Sequence, residues 1–142
     1  DIVIIDSKRA GKRLIKRIIG LPHDTVAMQN NALVINGEPV NYEVVSRDES
    51  SVIIIEALLE FSHRAQLASG YVSRSRRSYG PAVVPEDQYF VLGDNRDNSA
   101  DSRAYSFVPR EEIVGRSRSV VFSLDGNNLY FFRSERFLTP LN

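Results

Sequence analysis

The sequence predicts a mainly β protein built from short antiparallel strands and hairpins. About nine short runs of β-branched and aromatic residues occur along its 142 residues, with Gly, Pro, Asn and Asp turns between them. No segment carries the apolar repeat of a long amphipathic helix. The Asn36-Gly37 dipeptide between two of the runs is the strongest short-range signal of a hairpin. A chain of this length suits one domain, so we expect residues 1–142 to form a single domain.

The first half of the chain predicts its strands in order. The β-branched run at residues 1–6 begins a buried strand, and a turn at 10–11 leads into a second strand at 13–19. The next predicted elements are a turn and four strands, at 20–24, 25–28, 32–35, 39–45 and 51–59. Residues 61–68 fit either the hairpin partner of the preceding strand or a short helix.

The second half predicts loops and shorter strands. Residues 69–81 are rich in Arg and Ser and predict a mobile polar loop. A compact apolar strand at 88–92 precedes a polar loop at 93–103, and one helical turn is predicted at 111–114. The last predicted element is a hairpin, with its turn at 125–126 and its strands at 119–124 and 129–132.

Composition excludes several classes of function. Lys and Arg together number 18, as do Asp and Glu, so the net charge is +0 and a surface built all over for nucleic acid is excluded. The Cys count of 0 excludes disulfides, a thiolate zinc site and a cysteine nucleophile. No strictly aliphatic run is longer than the one at 52–55, which is far shorter than the about 20 residues that a membrane-spanning helix needs.

The polar loop at 93–103 is the most informative segment. It contains three Asp, two Arg, two Asn and two Ser residues and directly follows a buried strand. Because Asp and Arg side chains form charge-assisted hydrogen bonds, they can hold the backbone of such a loop rigid. A rigid polar loop at the end of a strand is a common place for catalytic groups. The composition therefore favours a functional loop over a merely solvated one.

The same loop fails as a calcium site. Asp97, Ser99 and Asp101 have the spacing that begins an EF-hand loop. However, Ser102 occupies the position that requires Gly, and Val108 occupies the position of the bidentate Glu. We therefore reject a calcium site.

Lys16 stands out among the three lysines, which all lie in the first 16 residues. On a strand, Lys16 shares a face with Leu14 and Ile18. Such a lysine either extends along the apolar surface to reach water or is a buried amine. Burial would lower its pKa from about 10.4 toward neutrality. A neutral amine is a competent general base for a hydroxyl nucleophile.

Two segments together resemble one protein family. Residues 16–24 read Lys-Arg-Ile-Ile-Gly-Leu-Pro-His-Asp, and residues 93–103 read Gly-Asp-Asn-Arg-Asp-Asn-Ser-Ala-Asp-Ser-Arg. They resemble the two most diagnostic boxes of the type I signal peptidases, membrane-anchored serine proteases of the Ser–Lys dyad kind. Further similar segments lie at 1–5, 107–109 and 114–116. The resemblance is strong over 1–45 and 81–124 and weak in between.

The resemblance implies a fold, an activity and a location. The fold would be the signal-peptidase-like β fold shared with the SOS-repressor proteases, with a variable inserted β subdomain at 46–80 and a core at 81–124. The activity would be removal of signal peptides from exported preproteins by cleavage after small residues, without metal or cofactor. Its partners would be those signal peptides and the membrane surface, with no nucleic acid. The location would be the periplasmic, extracytoplasmic face of the bacterial cytoplasmic membrane.

The resemblance also implies roles for individual residues. Lys16 would be the general base, and Ser99 would bond to its amine and orient it. Asp101 and Arg103 would form an ion pair that braces the loop. Further supporting residues would be Arg17, Asp94, Asn95 and Arg96. The strand that pairs with an extended substrate and helps to wall its pockets would contain Arg13, Leu14 and Ile15.

The sequence departs from the family in two places. The family's nucleophilic serine lies in a Ser-Met-x-Pro-Thr-like motif, which these 142 residues do not contain. Ser7 does not match that pattern, so we expect an inactive fragment whose nucleophile and membrane anchor belong to a preceding segment. His23 replaces a family Gly, which implies a turn with positive φ, and we interpret His23 as a turn variant rather than a functional imidazole. We interpret His63 as structural or exposed.

Two alternatives stay open at this stage. One is a specialised peptidase of the same superfamily, such as a processor of conjugation pilin. The other is a non-catalytic β module that binds anionic lipid or nucleic acid through basic segments 8–17 and 74–77. A helical basic stripe and salt-sensitive binding to heparin would favour the module. Lys16 in a strand beside Ser99 would favour the enzyme.

Overall fold

The computed structural model describes residues 1–58, 61–117, 119–120, 124–125, 128–132 and 139–140. Most of them lie in short strands, which are β1 (Ile2–Ser7), β2 (Lys12–Gly20), β3 (Thr25–Gln29), β4 (Ala32–Ile35), β5 (Glu38–Pro39), β6 (Asn41–Arg47), β7 (Ser51–Leu58), β8 (Phe61–Ala68), β9 (Tyr79–Val83), β10 (Gln88–Leu92), β11 (Val108–Pro109), β12 (Ile113–Ser117), β13 (Ser119–Val120), β14 (Leu124–Asp125), β15 (Asn128–Phe132) and β16 (Thr139–Pro140). The helical pieces are short, namely α1 (Arg74–Arg77), α2 (Ser102–Tyr105) and two 3-10 turns at Arg96–Asn98 and Arg110–Glu112. The predicted mainly β class is confirmed.

A five-stranded antiparallel sheet carries the residues of the site. Its strand order is β11-β10-β2-β1-β12. β1 and β2 form a hairpin in which Val3 pairs with Lys16 and Ile5 pairs with Leu14. Because side chains alternate between the two faces of a strand, Val3 and Ile5 of β1 point to the same face. There they form a buried cluster with Val91 of β10 and Val108 of β11. β2 is therefore a central strand at its carboxyl end, between β1 and β10.

A four-stranded sheet, β5-β4-β3-β9, packs against this one. The shared core contains Val26 and Leu33 from the smaller sheet and Phe90 and Leu92 from β10, all nearly without exposure. Positive φ at both turn residues after β4 confirms the hairpin that the Asn-Gly dipeptide predicts. His23 has a φ of 73°, so the predicted positive-φ turn is also confirmed.

A three-stranded sheet, β6-β7-β8, forms the middle of the chain. Its aliphatic core residues are Val52, Ile54 and Ala65. Residues 61–68 form the hairpin partner of β7 and not a helix, with Glu56 opposite His63. The choice that the sequence left open is thus decided in favour of the strand.

Three predicted elements differ from the structure or lie partly outside the residues that it describes. Residues 69–81 are not a loop throughout, because they contain α1 and the start of β9, which pairs with β3. The helical turn predicted at 111–114 is a 3-10 turn at Arg110–Glu112, and the residues after it form β12 beside β1. The predicted strand 119–124 is described only at its ends, while β14 pairs with β15 around the predicted turn. No helix among the described residues has the length and hydropathy to cross a membrane.

Candidate active site

Lys16 and Ser99 meet in space although they are far apart in the sequence. The Lys16 amine donates a hydrogen bond of 3.0 Å to the Ser99 hydroxyl oxygen. Lys16 lies in β2, where the sheet half buries it between aliphatic neighbours. Ser99 directly follows the 3-10 turn Arg96–Asn98, in extended backbone. The structure therefore brings together the two residues that the resemblance singles out.

The surroundings of Lys16 favour its neutral form. Burial lowers the pKa of the amine and outweighs the negative charge of Asp101, which acts in the opposite direction. The positive charge of Arg103 adds to the lowering. A larger share of neutral amine makes Lys16 a better proton acceptor near neutral pH.

Gly93 permits the contact between the two residues. A Cβ atom at this position would lie 2.1 Å from the Ser99 hydroxyl oxygen and 3.4 Å from the Lys16 amine. The Gly93 amide also donates to an Asp101 carboxylate oxygen at 3.0 Å. The sequence analysis assigned no role to Gly93, although its place at the end of a buried strand beside polar residues is typical of a close backbone approach.

Asp101 and Arg103 form the predicted ion pair. Arg103 donates from Nε and Nη2 to the two carboxylate oxygens of Asp101, at 2.8 and 2.7 Å. Arg103 also donates to the backbone carbonyls of Arg76 and Arg96. Burial opposes ionisation of Asp101, but its bonds with Arg103 outweigh that effect and lower the pKa of Asp101. The nearby Ser99 hydroxyl also contributes to the lowering of the Asp101 pKa.

These contacts orient the Lys16 amine. The Ser99 hydroxyl oxygen accepts from Lys16, which leaves the hydroxyl proton able to turn toward the nearby Asp101 carboxylate. When Lys16 is neutral, one N–H of its amine is held by Ser99. The lone pair of the amine then points away from Ser99. The arrangement can hold a proton acceptor toward a neighbouring hydroxyl.

The other predicted supporting residues bind along the same loop. Arg17 donates to both carboxylate oxygens of Asp94, at 2.8 and 2.9 Å. Arg96 is fully buried and pairs with Glu56 of β7. Asn95 forms a parallel backbone bridge with Gln66 of β8.

Sequence reasoning missed the partners that come from the middle of the chain. Glu56 and Gln66 carry no motif of their own, so only the folded contacts reveal them. Asp97 accepts from Arg77 at 2.8 Å and from Asn31 at 3.1 Å. The Ala68 amide donates to the same carboxylate at 2.8 Å.

The three predicted substrate-binding residues lie in the first part of β2. Arg13 donates to both carboxylate oxygens of Asp6, at 2.6 and 3.0 Å. Leu14 packs against the core cluster of β1 and β10, and Ile15 is 62% exposed. β10 pairs with β2 only between Arg17 and Gly20. Within the described residues, the β2 edge before Arg17 is therefore free of β10.

Ser7 and His63 make contacts within the fold, away from Lys16 and Ser99. The Ser7 hydroxyl accepts from the Ala10 amide at 3.1 Å, within the turn that joins β1 to β2. His63 is buried, and its Nε2 lies 3.3 Å from a carboxylate oxygen of Glu56. The described residues contain no cluster of three or more His, Asp or Glu side chains that could hold a metal ion.

The first basic segment, 8–17, does not form the helical stripe that a polyanion-binding module would favour, and the second, 74–77, is only the single helical turn α1. Residues 8–17 form a turn and part of β2. Several of their cations have acidic partners, since Lys8 binds Glu111 at 2.6 Å and Arg17 binds Asp94. In the second segment, Arg77 binds Asp97.

Acid is expected to destabilise the fold through its buried carboxylates. Burial raises the pKa of Glu56, but contacts with His63 and Arg96 outweigh it, so the pKa falls from 4.5 to about 2. A folded-state pKa below the unfolded value contributes stability that is present above pH 4.5 and is lost as the pH falls toward 2. Urea unfolding across this range should show a falling free energy of unfolding. A constant free energy would contradict the described pairing.

Comparison with known proteins identifies a family. The family model described as signal peptidase, peptidase S26, matches residues 1–122. Signal peptidase I P of Bacillus subtilis subsp. natto is 35% identical over 126 residues, which are 88% of this chain and 60% of the relative. Signal peptidase I of Bacillus licheniformis is 36% identical over 125 residues, which are 86% of this chain and 58% of the relative. The chain thus spans less than two thirds of the length of these relatives.

A solved structure is similar as well. The crystal structure of a signal peptidase I from Enterococcus faecalis has a TM-score of 0.53 and 30% sequence identity to this chain. The similarity covers 82% of this chain and 92% of that one. From the family match, the sequence identities and the shared fold, the chain belongs to the signal peptidase family, peptidase S26.

Proposed function

We propose that this chain provides the general-base half of a signal peptidase active site, with Lys16 as the base and Ser99 as the residue that orients it. The observation that carries the proposal is the 3.0 Å contact between the Lys16 amine and the Ser99 hydroxyl, in a half-buried place. Burial lowers the pKa of Lys16, as a general base near neutral pH requires.

The proposed reaction is acyl transfer through a serine. Neutral Lys16 takes the proton of the nucleophilic hydroxyl while the serine oxygen attacks the scissile carbonyl carbon. The resulting ammonium gives its proton to the departing amine, and the acyl-enzyme remains. Water then attacks the ester with Lys16 again as base, which restores the serine. The family's serine motif is absent from these 142 residues, so we propose a nucleophile outside them and no activity of the chain alone.

The proposed substrates are signal peptides of exported preproteins, cleaved after small residues. An extended peptide can pair with the β2 edge at Arg13, Leu14 and Ile15, because β10 leaves this part of β2 uncovered. We propose that the protein works without metal or cofactor at the periplasmic, extracytoplasmic face of the bacterial cytoplasmic membrane. Its other partner would be the membrane surface, and no nucleic acid is needed.

The proposal is tested by supplying the chain with the family's upstream serine segment and assaying a preprotein with an Ala-x-Ala cleavage site. Cleavage after the second Ala is expected. Intact preprotein, with the chimera folded, would contradict the proposal.

Ser99→Ala is expected to lower kcat of the same chimera by about 10²-fold, because the amine loses the bond that orients it. Circular dichroism should show an unchanged fold. Ser62→Ala, at an exposed position of β8, is the matched control and should cleave at the wild-type rate. Equal cleavage rates for the two variants would contradict the proposal that Ser99 orients Lys16.

A further inference from the structure

A buried ion pair joins the polar loop at 93–103 to the middle of the chain. Arg96 donates to both carboxylate oxygens of Glu56, at 2.7 and 2.5 Å. Both side chains are 0% exposed. Removing two charges from water costs about as much as their attraction returns, and apolar residues of similar volume are often at least as stabilising. Stability alone therefore does not account for this pair.

Glu56 is fixed by groups on each element packed against it. His63 approaches from β8, with its Nε2 3.3 Å from a Glu56 carboxylate oxygen, and Tyr42 of β6 lies directly opposite Glu56 in the sheet. Tyr42 is itself held, because its hydroxyl oxygen accepts from the Leu33 amide at 2.9 Å. A carboxylate with fixed oxygens fixes the planar fork of Arg96 in both position and orientation.

The position of Arg96 determines where Ser99 begins. Arg96 opens the 3-10 turn, and Ser99 is the first residue after it. Beside the ion pair, two backbone amides of β8 hold the same loop. The Gln66 amide donates to the Asp94 carbonyl at 2.7 Å, and the Ala68 amide donates to the Asp97 carboxylate at 2.8 Å. The loop is thus built onto β7 and β8 immediately before the serine that meets Lys16.

We propose that Glu56 is a positioning residue, which through Arg96 holds the 3-10 turn so that the Ser99 hydroxyl meets the Lys16 amine. The three-stranded sheet β6-β7-β8 is then a support of the active site and not only a variable insertion. The expected effect of Glu56 on catalysis rests on the proposed function. The geometric part, Glu56 acting on the surroundings of Lys16, does not depend on cleavage.

Glu56→Gln tests the inference, because it keeps the shape of the side chain and removes its charge. We expect the loop to loosen, water to reach Lys16, and the pKa of Lys16 to rise toward its ordinary value. NMR titration of ¹⁵N-labelled lysine side chains in the chain itself reports this rise. In the chimera with the upstream serine segment, kcat should fall by about 10²-fold with KM unchanged. The acid limb of its pH profile should move to higher pH.

The matched control is Glu111→Gln, which makes the same chemical change in the exposed ion pair with Lys8. It should leave kcat and the Lys16 titration unchanged. If Glu56→Gln unfolds the protein, Glu56→Met combined with Arg96→Met replaces the pair by apolar side chains of similar volume. This double variant should keep the thermal stability of the wild type and still raise the Lys16 midpoint and lower kcat.

The two proposals fail in different ways. A folded Glu56→Gln or double variant with the Lys16 midpoint and kcat of the wild type would overturn the positioning role. A midpoint that responds to Glu56 in a chimera without any cleavage would support the positioning role and count against the peptidase activity. Cleavage that requires Lys16 but does not change in Glu56→Gln would support the peptidase activity and contradict the positioning role of Glu56.

Discussion

Lys16→Ala is expected to lower kcat/KM for signal-peptide cleavage by about 10³-fold or more, in the chain supplied with the family's serine segment. The reason is that the serine hydroxyl loses its proton acceptor, and Ser99 without the amine cannot replace it. Lys16→Arg should be equally inactive, because a guanidinium keeps its proton in a protein. Single-turnover cleavage of a labelled preprotein measures both losses.

Lys8→Ala is the control for the loss of a lysine. Lys8 lies in the turn between β1 and β2, where its side chain is 73% exposed and binds Glu111. Wild-type cleavage is expected for this variant. If Lys16→Arg cleaved as fast as the wild type, a positive charge and not a proton acceptor would be the function of position 16.

Gly93→Ala is expected to lower both the rate of cleavage and the stability of the fold. Its Cβ atom would lie 2.1 Å from the hydroxyl oxygen of Ser99 and 2.6 Å from the Ser99 Cβ. Ser99 must therefore move, and its bond with the Lys16 amine is broken. We expect kcat to fall by about 10²-fold and the free energy of unfolding to fall by about 1–3 kcal/mol. Cleavage kinetics and urea unfolding measure the two effects.

Gly70→Ala is the matched control for this change. A Cβ at Gly70 would meet nothing within 4 Å, and its backbone does not have the positive φ that strains other residues. Cleavage and stability close to those of the wild type are expected. If Gly93→Ala behaved like Gly70→Ala, the close packing of Gly93, Ser99 and Lys16 would be contradicted.

Local patterns predict much of the fold, because turns and alternating strands depend on neighbouring residues. Asn36 and Gly37 have positive φ, with values of 52° and 83°, as a hairpin of this kind requires. The β-branched residues of β1 and the apolar residues of β10 form strands where the sequence predicts them. These elements need no information from distant residues.

The site could be predicted only in part. The flanks of Lys16 alone favoured an amine that reaches water over a buried one, and only the family resemblance joined Lys16 to Ser99. The reason is that strand pairing far along the chain, and not spacing, brings the two residues together.

Contacts between distant segments explain the predictions that were wrong. The Arg-rich stretch at 69–81 has the composition of a loop, but Arg77 finds Asp97 and the residues from Tyr79 onward pair with β3. Nothing in the sequence indicated a role for Glu56, since a single acidic residue in an apolar strand matches no motif. Its role becomes visible only through its ion pair with Arg96. Such pairs are visible only in the folded chain.

The most direct test of the account is the NMR titration of the Lys16 amine in the wild-type chain, which contains three lysines and so gives few signals. The account predicts that Lys16 titrates below its ordinary value of 10.5, since burial lowers its pKa. Lys8 should titrate above that value, because Glu111 raises the pKa of Lys8. A Lys16 midpoint at or above 10.5 would contradict the claim that Lys16 is a buried general base.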